Sequence, residues 1–114
     1  MDILLLGAGN VGNAIAYDLS VDYDMMAADV NKENLNKIGR YTDTMKIDAS
    51  DRDALVNTMK NYDLAICSLP GQFGYKAVEA SIEAGTDIVD VSFMPENPMD
   101  LNHKARKNEV SVIV

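Results

Sequence analysis

The chain has 114 residues, 47% of them hydrophobic, which is enough for one packed core and too little for two. A formal net charge of −8 argues against nucleic acid or an anionic membrane surface as a partner, because both are bound through clustered Lys and Arg. No apolar run approaches the roughly 20 residues of a membrane helix and the N-terminus opens directly on a strand-like pattern, so a cytoplasmic location is expected. The only cysteine, Cys67, lies in an apolar run and reads as a buried thiol; the only histidine, His103, lies among polar residues and reads as an exposed helix residue. Neither a disulfide framework nor a Cys/His metal cluster can be built from them, and no metal is expected.

Taken in chain order, Ile3 to Leu6 is a continuous apolar run closed by glycine, as suits a strand covered on both faces. Val11 to Leu19 has helical spacing of Val11, Ile15, Ala16 and Leu19, with Asn10 near its start. "DMMAADV" from Asp24 predicts a second strand, and Lys32 to Arg40 a second helix capped by Asn31. "TMKI" at Thr44 to Ile47 is a third strand. Ser50 with Asp53 three residues on resembles a capping box ahead of a helix carrying Leu55, Val56 and Met59. "LAICSL" from Leu64 to Leu69 is a fourth strand, and Tyr75 to Ala84 a helix closed by Gly85. "DIVDV" is a fifth strand, Met99 to Lys107 a helix, and Val110 to Val114 a sixth strand. Strand and helix alternate throughout, so each strand returns through a crossover. The expectation is an α/β, doubly wound parallel sheet of Rossmann type, with about six strands in the order 3-2-1-4-5-6.

Gly7, Gly9 and Gly12 fit G-x-G-x-x-G between the first strand and its helix. In that context Gly7 makes the tight turn, Gly9 lets a pyrophosphate approach the backbone, and Gly12 packs helix on strand. Free N–H groups of Asn10 and Val11 at the helix start can hold the anion without a lysine, which reconciles an anionic ligand with an acidic protein. Asp29 lies 22 residues after Gly7, with Val30 beside it, at the end of the second strand. Its carboxylate suits the ribose hydroxyls of the adenosine half and would repel a 2′-phosphate, so NAD is favoured over NADP, although Lys32 lies nearby. Asp48 and Ala49 end the third strand, where adenine would border. Asp48 could equally be a loop residue before the next helix. Ser68, Leu69 and Pro70 end the fourth strand on the nicotinamide side, although Pro70 with Gly71 could be turn punctuation alone. Asp90 and Ser92, at the end of the fifth strand, are candidates to face a substrate.

The segments "LLLGAGNVGNAIAYDL", "SLPGQFGYKAVEASI" and above all "DIVDVSFMPENP" resemble the N-terminal half of the saccharopine dehydrogenase family, notably its lysine 6-dehydrogenase branch. That resemblance runs from Met1 to Val114. It implies an NAD(P)-dependent oxidoreductase acting at a carbon–nitrogen bond of an amino acid or related amine, with cofactor contacts falling on Gly7, Gly9, Asn10, Val11, Gly12 and Asp29. Family members continue into a second domain that shapes the substrate pocket and much of the oligomer interface. The expectation is therefore a dinucleotide-binding domain over residues 1–114 without its substrate and catalytic domain, binding cofactor without turnover and able to form a homo-oligomer. The alternative is a regulatory NAD- or nucleotide-sensing Rossmann module of the potassium-transport type, which shares the glycine loop and the acid on the second strand. "SLPG" followed by "DVSFMPENP" favours the dehydrogenase.

Overall fold

The computed structural model describes residues 1–114. Six strands, β1 (Asp2–Leu6), β2 (Asp24–Asp29), β3 (Asp43–Lys46), β4 (Leu64–Cys67), β5 (Asp87–Asp90) and β6 (Val112–Ile113), form one sheet in the order β3-β2-β1-β4-β5-β6. Every pairing is parallel. Five helices make the returns: α1 (Asn10–Leu19), α2 (Lys32–Ile38), α3 (Arg52–Met59), α4 (Gly71–Ala84) and α5 (Asn102–Lys107), the last preceded by a 3₁₀ turn at Pro98–Leu101. This is the Rossmann-like architecture that the alternation of strand and helix implies. No helix is long and apolar enough to cross a membrane.

Period-2 alternation in β1 supplies both faces of the sheet at once. Leu4 and Leu6 join Ala65, Cys67 and Ile88 beneath α3, α4 and α5, where Leu55, Met59, Val78, Ile82 and Leu101 complete the larger core. Ile3 and Leu5 join Ala27 and Ile66 on the other face, against Ala16 of α1 and Ile38 of α2. A strand buried on both sides needs no polar residue between its ends, and Ile3 through Leu6 are all buried.

Local chemistry sets the helix ends. Asn31 caps α2 by accepting the Asn34 N–H, and Gly85 ends α4 in the left-handed region at φ 76°, both as the sequence implies. The cap of α3 differs from expectation: Asp51 accepts the Ala54 N–H at 3.1 Å, whereas Ser50 donates its hydroxyl to Asp48. An aspartate one residue closer to the helix outcompetes the serine. Helix α4 begins at Gly71, a full turn before Tyr75, because Pro70 holds the extended conformation that launches it. The last helix is split, its first turn being 3₁₀ behind Asn97, which accepts the Met99 N–H. The sixth strand shrinks to two residues.

Candidate functional site

The strand order reverses between β1 and β4, and the chain segments leaving their carboxyl ends diverge to opposite faces of the sheet. Such a switch point leaves a crevice. The glycine loop forms its floor, and its three glycines have different physical reasons to be glycine. Gly7 has φ 96°, and a Cβ there would sit 2.8 Å from the Ser68 carbonyl oxygen. A Cβ on Gly12 would collide with the Gly7 carbonyl. At Gly9, by contrast, no atom lies within 4 Å of the position a Cβ would take. Protein packing accounts for the first two, and it does not account for the third.

Gly9 is also the N-cap of α1 and offers no side chain to the helix, so the donors of the first turn have no side-chain partner at the cap. A ten-residue helix thus presents its positive end beside Gly9. The cleft in front of it has a volume of about 450 Å³ and is lined by Gly7, Gly9, Asn10, Val11, Asp29, Val30, Asp48, Ala49, Ser68, Leu69 and Pro70, together with Asn34, Ile47 and Phe73. Of the twelve residues expected to meet the cofactor, Gly12 alone is absent from this lining, because it packs α1 against the glycine loop and Ser68. Asn34 escaped sequence reading because a polar residue on a short helix looks like solvent-facing surface. Phe73 escaped because α4 starts earlier than its apolar spacing suggests.

Asp29 is tied to the loop it faces. Its Oδ2 accepts the Ala8 N–H at 2.8 Å and lies 3.5 Å from the Asn34 amide nitrogen, and its Oδ1 accepts the Asn31 N–H at 3.0 Å. A carboxylate has about four lone-pair sites, so capacity for a further donor remains on Oδ1. Ser68 is turned the other way, its hydroxyl donating to the carbonyls of Leu6 and Gly7 at 3.1 and 3.0 Å. It braces the first glycine turn from β4. Asp48 forms a local turn in which its Oδ1 accepts the Ser50 hydroxyl at 2.7 Å and the Ser50 N–H at 2.9 Å; these bonds hold its carboxyl below the usual range. Asp48 thus both shapes the loop before α3 and lines the cleft.

Asp90 and Ser92 do not face this cleft. Asp90 is only 4% exposed, Ser92 is half-buried, and both lie against Gly74 of α4. The cause is the pair of glycines at 71 and 74, which draws the segment after β5 onto the helix. Cys67 is fully buried, and His103 is exposed on α5.

A family model described as the saccharopine dehydrogenase NADP binding domain matches residues 3–113. The chain belongs to this family. Among solved structures, the chain superposes on saccharopine dehydrogenase (L-Glu forming) from Saccharomyces cerevisiae with a TM-score of 0.87 at 23% identity, covering 97% of this chain and 26% of the yeast chain. It also matches AtPrR2, in a structure with NADP+ and (+)pinoresinol, at a TM-score of 0.74 and 17% identity, over 97% of this chain and 47% of the other. Galactitol-1-phosphate dehydrogenase from Escherichia coli matches at 0.64 and 17%, over 98% of this chain and 35% of that enzyme. At these identities the likeness concerns the fold. The domain spans about a quarter of the yeast enzyme and less than half of the other two.

Proposed function

We propose that this domain holds a nicotinamide dinucleotide in the cleft with the pyrophosphate over Gly9 and the start of α1. The adenosine ribose then sits at Asp29 and Val30, the adenine beside Asp48 and Ala49, and the nicotinamide half along Ser68, Leu69 and Pro70. The observation that carries this reading is the open space above Gly9 beside a helix N-terminus with no side-chain cap. A backbone cradle that no protein atom fills suits a phosphate. The bound dinucleotide would supply hydride acceptance or donation, and the domain's own residues bind and orient it. Substrate specificity and turnover belong to further protein of the larger enzyme, which acts at the carbon–nitrogen bond of an amino acid or related amine; this domain alone binds cofactor without turnover, in the cytoplasm.

Within the dinucleotides the geometry favours NAD over NADP. Asp29 brings a carboxylate to the part of the cleft where the ribose would sit in this reading, and no salt bridge neutralises it. A 2′-phosphate there meets like charge. Calorimetric titration with NADH and NADPH tests this, and NADH is expected to bind more tightly. Asp29→Ala removes an acceptor worth roughly 1.5–3 kcal/mol per hydrogen bond, so NADH affinity should weaken about 10- to 100-fold. Equal affinity of the unmodified domain for NADPH would overturn the preference while leaving dinucleotide binding in place.

A further inference from the structure

Asp90 ends β5 inside the protein with its carboxylate half engaged. Oδ1 accepts the Ser92 N–H at 2.6 Å, whereas Oδ2 has no hydrogen-bond partner and the buried hydroxyl oxygen of Ser92 has none either. Its cross-strand neighbour on β4 is Cys67, and no salt bridge reaches it. Burying a carboxylate with so little compensation is costly, and a buried unsatisfied group in a folded protein calls for a reason.

The reason lies in what Asp90 holds. A Cβ on Gly74 would collide with Ser92 Oγ and come within 3.0 Å of Asp90 Oδ2, and a Cβ on Gly71 would collide with the Phe93 carbonyl. The segment after β5 therefore lies directly on the first turn of α4 with no side chain between them. That same turn carries Phe73, and Pro70 is its cap; both line the cleft. Whatever fixes Ser92 and Phe93 also fixes Pro70 and Phe73. On the opposite side of the cleft Asp29 does the corresponding work, accepting the N–H of the residue two positions on and fastening the glycine loop through Ala8.

We propose that Asp90 is a positioning residue: by clamping the Ser92 N–H it seats the Ser92–Phe93 segment on Gly71 and Gly74 and so sets the Pro70–Phe73 wall against which the nicotinamide ring is placed. The inference rests on the reading that the cleft holds a nicotinamide dinucleotide.

Two probes separate positioning from general support of the fold: NADH, and ADP-ribose, which keeps the adenosine and pyrophosphate but lacks the nicotinamide ring. Calorimetry on Asp90→Ala should show NADH weakened about tenfold, the scale of one lost charge-assisted hydrogen bond, with ADP-ribose affinity held within about twofold. Asp90→Asn keeps an oxygen for the Ser92 N–H and adds a donor for Ser92 Oγ, so it should restore NADH affinity to within about threefold of the unmodified protein. Gly74→Ala pushes Ser92 and the Asp90 carboxylate off α4 while residue 90 stays an aspartate, and should reproduce the selective loss, which keeps the test open if Asp90→Ala fails to fold. Equal weakening of both probes, unchanged NADH affinity in the alanine variants, or failure of Asp90→Asn to recover each overturns the clamp. If the unmodified domain binds neither probe, the dinucleotide reading itself fails and the clamp falls with it.

Discussion

Single residues at the cleft separate into those fixed by packing and those left free for a ligand. Gly7 and Gly12 cannot be enlarged without moving backbone, whereas Gly9 can: its φ of −73° is open to any residue and the space beyond it is empty. Gly9→Val should therefore melt within a few degrees of the unmodified domain while the enhancement of NADH fluorescence on binding disappears. Retained binding would show that phosphate does not approach this point. Cys67 illustrates the opposite case, a group with no access to solvent. Burial, aided by the neighbouring Asp90 carboxylate and opposed by the Leu69 N–H, pushes its thiol from an ordinary 9.0 up to about 12. The folded state thus keeps its proton after the unfolded chain has lost it. The stability this contributes is fully present below pH 9 and drains away as pH rises from about 9 to about 12. Ellman's reagent should leave Cys67 untouched at pH 8 until denaturant is added, and Cys67→Ala should flatten the alkaline fall in urea midpoint relative to the unmodified protein.

At the scale of elements, the sheet was legible because burial on both faces writes itself into sequence as unbroken apolar runs. Ile3 to Leu6 and Leu64 to Cys67 have no polar interruption, and each is followed by the glycine, serine or proline that turns it into a helix. The alternation of strand and helix then leaves little topological choice. What the sequence concealed were contacts between distant segments. Nothing local distinguishes Gly71 and Gly74 as a landing for Ser92 and Phe93, and nothing local reveals that Asn34 turns toward Asp29. Helix starts were concealed for a related reason: Ser50 and Asp51 are both good caps, and competition from Asp48 for the Ser50 hydroxyl decides between them. Asp51→Ala should consequently lower the unfolding free energy by about 1 kcal/mol, the usual value of an N-cap. Ser50→Ala leaves that cap intact. A chemical denaturation series that reversed the order of these two variants would contradict the assignment.

The whole molecule ends in two unlike sheet edges, and the difference bears on how copies meet. At one edge β3 carries Asp43 and Lys46, charges that discourage an added strand. At the other, β6 pairs with β5 alone and has Ile113 62% exposed, the adjoining Val114 is 64% exposed, and Met99, 67% exposed, lies beside a small apolar groove formed partly by Val112 and Val114. No charge guards the two residues of that strand. Exposed apolar surface next to an unpaired edge promotes association, whereas a net charge of −8 on each copy opposes it through long-range repulsion. Salt screens the repulsion within about 10 Å at 0.1 M and leaves the apolar attraction in place. Sedimentation velocity over a concentration series should show reversible self-association that strengthens with added salt, contrary to an interface made of ion pairs. Ile113→Lys should return the protein to a monomer without loss of NADH binding, because β6 lies two strands from the cleft. A protein that stays monomeric at every concentration and salt level would show that this edge is too short to recruit a second copy.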